Sequence, residues 1–400
     1  MTIRERTADG FETLQSFGLV LLLVALPYSE GLKTTGLALA FVGFVGKSAA
    51  GRMPRFRDRA LAWSLLAYIA SCFLSFSLAR PELQRPPELL TVLMTTAPFF
   101  LAADACARRP SRALLFTWAI LIGALLAGLA AYGSFLTGYE ERLSLASIEN
   151  PVPAAEYLAI ALGVCLALLI AEYRAGVAGP LLVLVAGFTA VPLAMTRSRG
   201  GLLGAAFGCA TIVAAALQRR RYAVVALLVV AGLVATFAVM HPNSRLFVGR
   251  NITARFATWQ RSVELIAERP LTGHGPGIYW ALGVTYNDDD GKEHQLNAHN
   301  TIFHAAAENG LVGAGALAAF LVLALRGAVR SARAARHAIE RAMAVGAMAG
   351  IVASIVAGLT AVSTDAEPGM LFYALAAIGA GRNAMSVPED ETDLRDGGDQ

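Results

Sequence analysis

Apolar residues recur along this chain in runs separated by short polar breaks, most of them near the about 20 residues a helix needs to cross a bilayer. The pattern predicts twelve membrane-spanning helices at Glu12–Pro27, Gly31–Lys47, Ala60–Ala79, Leu89–Cys106, Ala113–Leu136, Ala155–Ala171, Val177–Met195, Gly201–Leu217, Tyr222–Met240, Asn300–Leu325, Ala342–Val362 and Gly369–Gly381. The one long interruption runs from His241 to Asn297. Inside it, Phe256, Trp259, Val263 and Ile266 recur three and four residues apart, which makes one apolar stripe on an amphipathic helix. Thr253 is placed to cap its start, and Pro270 with Gly273 to end it. Such a helix lies at the membrane interface rather than across it. The expected fold is therefore an all-α polytopic membrane protein whose long loop carries an amphipathic helix. Its divisions are a nine-helix region at 1–240, the loop at 241–299, three more spans at 300–383, and an acidic, unpatterned tail at 384–400.

Composition narrows this further. Apolar residues make up 56% of the chain and charged residues only 16%, whereas a soluble domain needs about 25% charged. The charged start, Met1–Gly10, leads into the first run without a small-residue cleavage site, so that run reads as a retained span. The four cysteines, Cys72, Cys106, Cys165 and Cys209, lie in or at the ends of apolar runs, which leaves no disulfide or metal framework. Of the 33 Lys and Arg residues, 21 fall on one set of alternate loops and at the termini, and 12 on the other. Half of those 12 belong to the long loop, where positive charge has little influence on topology. This asymmetry predicts cytoplasmic termini and a long loop facing outward, into a bacterial periplasm. The formal net charge of +4 reflects that asymmetry and not an affinity for nucleic acid. The many Gly and Ala residues in the spans are explained by close helix packing in lipid.

Three polar patches then share the outward face. The first is Thr196-Arg197-Ser198-Arg199-Gly200-Gly201 between the seventh and eighth spans. Its arginines either anchor the helix ends at the interface or form an anion site, in which Gly200 lets a phosphate approach the backbone at a helix start. The second is the amphipathic helix, where Arg255 lies one turn before Trp259 and points toward the bundle. Arg261 is rotated well away, toward solvent or lipid headgroups. The third is His299-Asn300 at the entry to the tenth span, followed by His304 and Glu308. A histidine at that boundary is neutral near pH 7 and can take a proton, although such residues are often only structural. His304 and Glu308 sit four residues apart and can satisfy each other. Asp288-Asp289-Asp290-Gly291 lacks the alternating ligands of a calcium loop, and no metal is expected.

Taken in order, Thr196 to Gly201, Arg255-x3-Trp259, Pro270-x2-Gly273-x-Gly275-x-Gly277, and His299-Asn300 with Glu308-x-Gly310-x2-Gly313 resemble the signature of the O-antigen ligase and polymerase superfamily. The resemblance covers roughly Val177 to Leu325. It implies a GT-C-type, metal-independent, inverting glycosyltransferase without a cofactor. Its donor would be a glycan on undecaprenyl pyrophosphate and its acceptor lipid A–core, at the periplasmic face of the inner membrane. His299, Arg199 and Arg255 would carry the catalysis, with Arg197, Arg261, Gly200, Asn300 and Trp259 around the substrate. The sequence leaves open which arginine of each pair, Arg197 or Arg199 and Arg255 or Arg261, holds the pyrophosphate. It also leaves open a polymerase with a glycan acceptor. A secondary transporter fits less well, because the polar residues gather at one face rather than at midplane.

Overall fold

In the computed structural model, residues 2–136, 143–172, 179–217, 250–282, 285–287, 293–295, 297–362 and 366–381 are described. Among them, the sequence signals for helix starts operate as local chemistry predicts. Thr2 and Glu5 form a reciprocal capping box at α1 (Ile3–Ala25), and Ser29 caps α2 (Glu30–Ala49). Asp58 caps α3 (Arg59–Leu78) by accepting from Leu61 N. Pro86 and Pro87, which lack the N–H a first turn leaves unpaired, open α4 (Pro86–Arg108). The bundle continues with α5 (Arg112–Leu136), α6 (Pro151–Glu172), α7 (Gly179–Met195) and α8 (Arg199–Leu217). After it come α9 (Arg250–Glu268), the one-turn α10 (Ile278–Ala281), α11 (Thr301–Ala334), α12 (Ala338–Ala357) and α13 (Ala366–Ala380).

Eight of these helices, α1, α3, α4, α5, α6, α8, α11 and α12, are long and apolar enough to cross a membrane; α7 and α13 are shorter apolar helices. This is the architecture of a polytopic membrane protein. Eleven of the twelve predicted runs fall on a helix, while the ninth (Tyr222–Met240), the aspartate run at 288–290 and the acidic tail lie outside the described residues. The loop carries a short hairpin besides its helix: β1 (Thr285–Asn287) pairs antiparallel with β2 (Glu293–Gln295). Thr285 and Tyr286 favour extended backbone, and polar residues with a glycine lie between the strands. One expectation needs correction: the amphipathic helix begins at Arg250, so Thr253 lies in its first turn and not at its cap.

Side-chain and backbone ties sort the connections to two ends of the bundle. At one end, Arg4 Nε donates to Ala50 O, Arg112 meets Glu12 at 2.9 Å, Arg330 meets Asp58 at 2.6 Å and Arg341 donates to Ala215 O. Deeper at this end, Lys47 and Asp104 form a fully buried ion pair beside Gln15. At the other end, Leu143 N donates to Met195 O, Lys33 bridges Glu30 and Glu367, and Arg269 reaches Leu78 O. This second end carries α9, the hairpin and all three polar patches.

Candidate functional site

The site begins with a broken helix. α11 is 34 residues long, about 50 Å at the helical rise, much more than the about 30 Å of a bilayer core. At Gly310 the backbone leaves helical values, with φ 67° and ψ −179°. The break frees carbonyls and N–H groups that an unbroken helix would pair internally, and the loop before α10 takes them up. His274 N donates to Ala307 O, Gly275 N to Glu308 O, and Leu311 N to Pro270 O. Ser75 of α3 adds a hydroxyl to the same Glu308 carbonyl. Gly273 packs against the Glu308 carbonyl and Gly310 against that of Leu271, both with positive φ, so neither position has room for a side chain. The two glycine motifs are thus halves of one joint.

Glu308 closes that joint. Its Oε1 accepts from Gly277 N at 2.7 Å and lies 3.3 Å from His304 Nε2. His304 stacks on Tyr279 at 5.1 Å between ring centroids, and the Tyr279 hydroxyl pairs with Ser262 Oγ of α9 at 2.8 Å. Burial pushes the Tyr279 phenol pKa up, so it stays protonated. Leu265, Ile278, Tyr279, Ala298 and Ala307 form a small core of their own under the loop. That core seats α9 and sets the position of the residue after Ala298, which is His299.

A second anchor meets the first. Asn300 caps α11 by accepting from Ile302 N and Phe303 N. Thr301 N donates to Gly358 O and Asn300 Nδ2 to Leu359 O, so the start of α11 is docked on the turn that follows α12. The start of α8 rests on the same turn, because Gly200 packs against Thr360 Oγ1. Ser198 caps α8 through Gly201 N. Arg199 and His299 are therefore brought to one place by a shared support, although 100 residues separate them in sequence.

Thr360 Oγ1 stands where a Cβ on Gly200 would lie, so a glycine there lets α8 pack on the turn.

Arg255 completes the group from α9. Among the described residues of this helix, Thr258, Ser262 and Leu265 are buried, and Arg255, seven residues before Ser262, shares their face. Of the predicted apolar stripe, Phe256 and Val263 are exposed instead. Trp259 braces the helix edge-on against Phe303, with ring centroids 6.1 Å apart. Arg199 and Arg255 lie close enough for their charges to repel, and Arg255 also acts on His299. The alternative arginines sit differently. Arg261 is tied to Glu264 at 3.0 Å and faces Glu268 on the outer flank, and Arg197 is exposed on the turn.

His299 is half-buried with φ 45°, a left-handed conformation uncommon outside glycine, and its N–H donates to Asn297 Oδ1. Its pKa is pushed down to about 4, first by burial, then by Arg255, then by His304. Arg197 also has a positive φ, 51°. Backbone strain of this kind gathers at functional sites when the surroundings hold it in place. The arrangement can do two things chemically: two guanidiniums can hold an anion, and a neutral imidazole beside them can accept a proton. The supports, which are the 357–361 turn, Ser75, Ser262 and Tyr279, carry no mark in the sequence. Ser75 is one of four serines in α3, and nothing in the sequence sets it apart from Ser64, Ser71 and Ser77.

The O-antigen ligase family matches residues 182–318. This stretch runs from α7 into α11 and contains Arg199, Arg255, His299 and both halves of the glycine joint. No curated protein matches the chain.

Proposed function

We propose that this protein is a GT-C-type O-antigen ligase, moving a polysaccharide from undecaprenyl pyrophosphate to lipid A–core at the periplasmic face of the inner membrane. The observation that carries the proposal is the meeting of Arg199, Arg255 and His299 at one end of the bundle, each held there by a different element. Undecaprenyl pyrophosphate leaves as a diphosphate, and the two arginines offset the charge that grows on it as the anomeric carbon–oxygen bond breaks. The freed electron pair stays on that diphosphate oxygen. An acceptor hydroxyl attacks from the opposite face, forms the new glycosidic bond, and gives its proton to His299. Opposite-face attack inverts the anomeric centre. Fixed cations neutralise the leaving group in this scheme, so the reaction needs no metal. Most of the catalysis is then positioning and electrostatics in a water-poor site.

A deletion strain tests this reading. Its lipopolysaccharide should lack O-antigen while long chains accumulate on the carrier lipid. Single repeat units attached to core would instead identify a polymerase, and unchanged lipopolysaccharide would remove both readings.

A further inference from the structure

A second built feature lies at the opposite end of the bundle. Between the α2–α3 connection and α3 runs a groove of about 620 Å³, lined by Arg55, Phe56, Arg57, Arg59, Trp63 and Leu66. Its polarity is graded. Three guanidiniums stand at the connection, while Trp63 and Leu66 continue the wall along α3, one and nearly two turns beyond Arg59. Trp63 is 68% exposed and Leu66 39%, so the lower wall faces lipid.

The basic end of the groove is held in shape. Arg55 N donates to Asp104 Oδ1 at 2.8 Å, and an Arg57 Nη2 reaches Ala107 O at 3.5 Å. The one acidic side chain of the connection, Asp58, is engaged with Arg330 at 2.6 Å and with Leu61 N. The carboxylate of the connection is thus committed to Arg330 and to the cap of α3.

An occupant must satisfy both halves, with an anionic group for the arginines and a hydrocarbon chain for Trp63 and Leu66. We propose that the groove binds an anionic phospholipid of the leaflet at this end, phosphate against Arg55, Arg57 and Arg59 and acyl chain along α3. Basic pockets at helix ends select anionic headgroups in this way. A free phosphate ion would meet only the upper half. The inference is independent of the glycan-transfer reading, since the groove and the candidate site lie at opposite ends.

The test uses the full-length protein in zwitterionic micelles titrated with phosphatidylglycerol carrying brominated acyl chains, with tryptophan quenching as the readout. A saturable phase is expected, and Trp63→Phe should remove it. The triple variant Arg55→Gln/Arg57→Gln/Arg59→Gln should shift its midpoint at least about tenfold upward, since each basic residue near an anionic surface is worth roughly fivefold. A control pair at the same end but outside the groove lining, Arg326→Gln/Arg333→Gln, should shift the midpoint far less, because it removes charge without touching the lining. Equal shifts in both variants would show diffuse attraction and overturn the site. So would a saturable phase that survives Trp63→Phe, competition by millimolar inorganic phosphate, or no saturable phase.

Discussion

At the residue scale, His299 combines a depressed pKa with a left-handed backbone. Its pKa near 4 leaves it neutral across physiological pH, so no proton must be removed before it can act. The same shift makes it a weak base in the empty site. A bound diphosphate would offset Arg255 and raise the pKa toward the ordinary histidine value of about 6.5. The acid limb of kcat/KM, which reports the free enzyme, should therefore fall near 4. That of kcat, which reports the complex, should lie at higher pH. Coincident limbs would show that the anion does not sit beside His299. This cluster was legible in the sequence, because its polar residues interrupt apolar runs in a recognisable order. The placement of Arg261 was not: Glu264 and Glu268 hold it outward, and which face of α9 is buried depends on its neighbours. The packing of Gly200 on Thr360 was not legible either, because the two lie far apart in sequence.

At the element scale, the joint between the 270–277 loop and the break in α11 sets where His299 and α9 sit. Gly310→Ala puts a Cβ against the Leu271 carbonyl at a positive φ, and a strained residue costs on the order of 1–3 kcal/mol even without a clash. Limited proteolysis should then cut the loop faster, and transfer should fall with the rest of the bundle intact; unchanged proteolysis would show that the joint is not needed. Glu308→Gln keeps an acceptor for Gly277 N and should retain more activity than Glu308→Ala. The spans themselves were readable from the length of their apolar runs. The break was not, because the run continues through Leu311 and Val312 and one glycine in it looks like ordinary packing. The length of α9 was underestimated because Thr253 reads as a cap, although Ile252, four residues before Phe256, continues the stripe.

For the molecule as a whole, two ends have separate tasks. The basic end holds a buried ionic centre, where Lys47 meets Asp104, and Asp104 also faces Arg108 at 3.3 Å. Removing one partner of a buried pair strands the other charge and costs about 3–5 kcal/mol. Asp104→Ala should therefore lower thermal stability in detergent markedly, yet leave the activity of the surviving folded protein near normal; an unchanged melting temperature would show that the centre is not structural. The opposite end carries the proposed chemistry, and one experiment addresses it most directly. Purified protein, lipid-linked glycan and lipid A–core are reconstituted without nucleotide, and glycan transfer is measured for single variants. The account predicts that His299→Ala loses about 10²–10⁴-fold in rate, the range for a general base. Arg199→Ala and Arg255→Lys should also be severely impaired, the latter because an ammonium cannot reproduce the planar fork, while Arg197→Ala and Arg261→Ala keep much of their activity. Transfer by His299→Ala at the wild-type rate would contradict it.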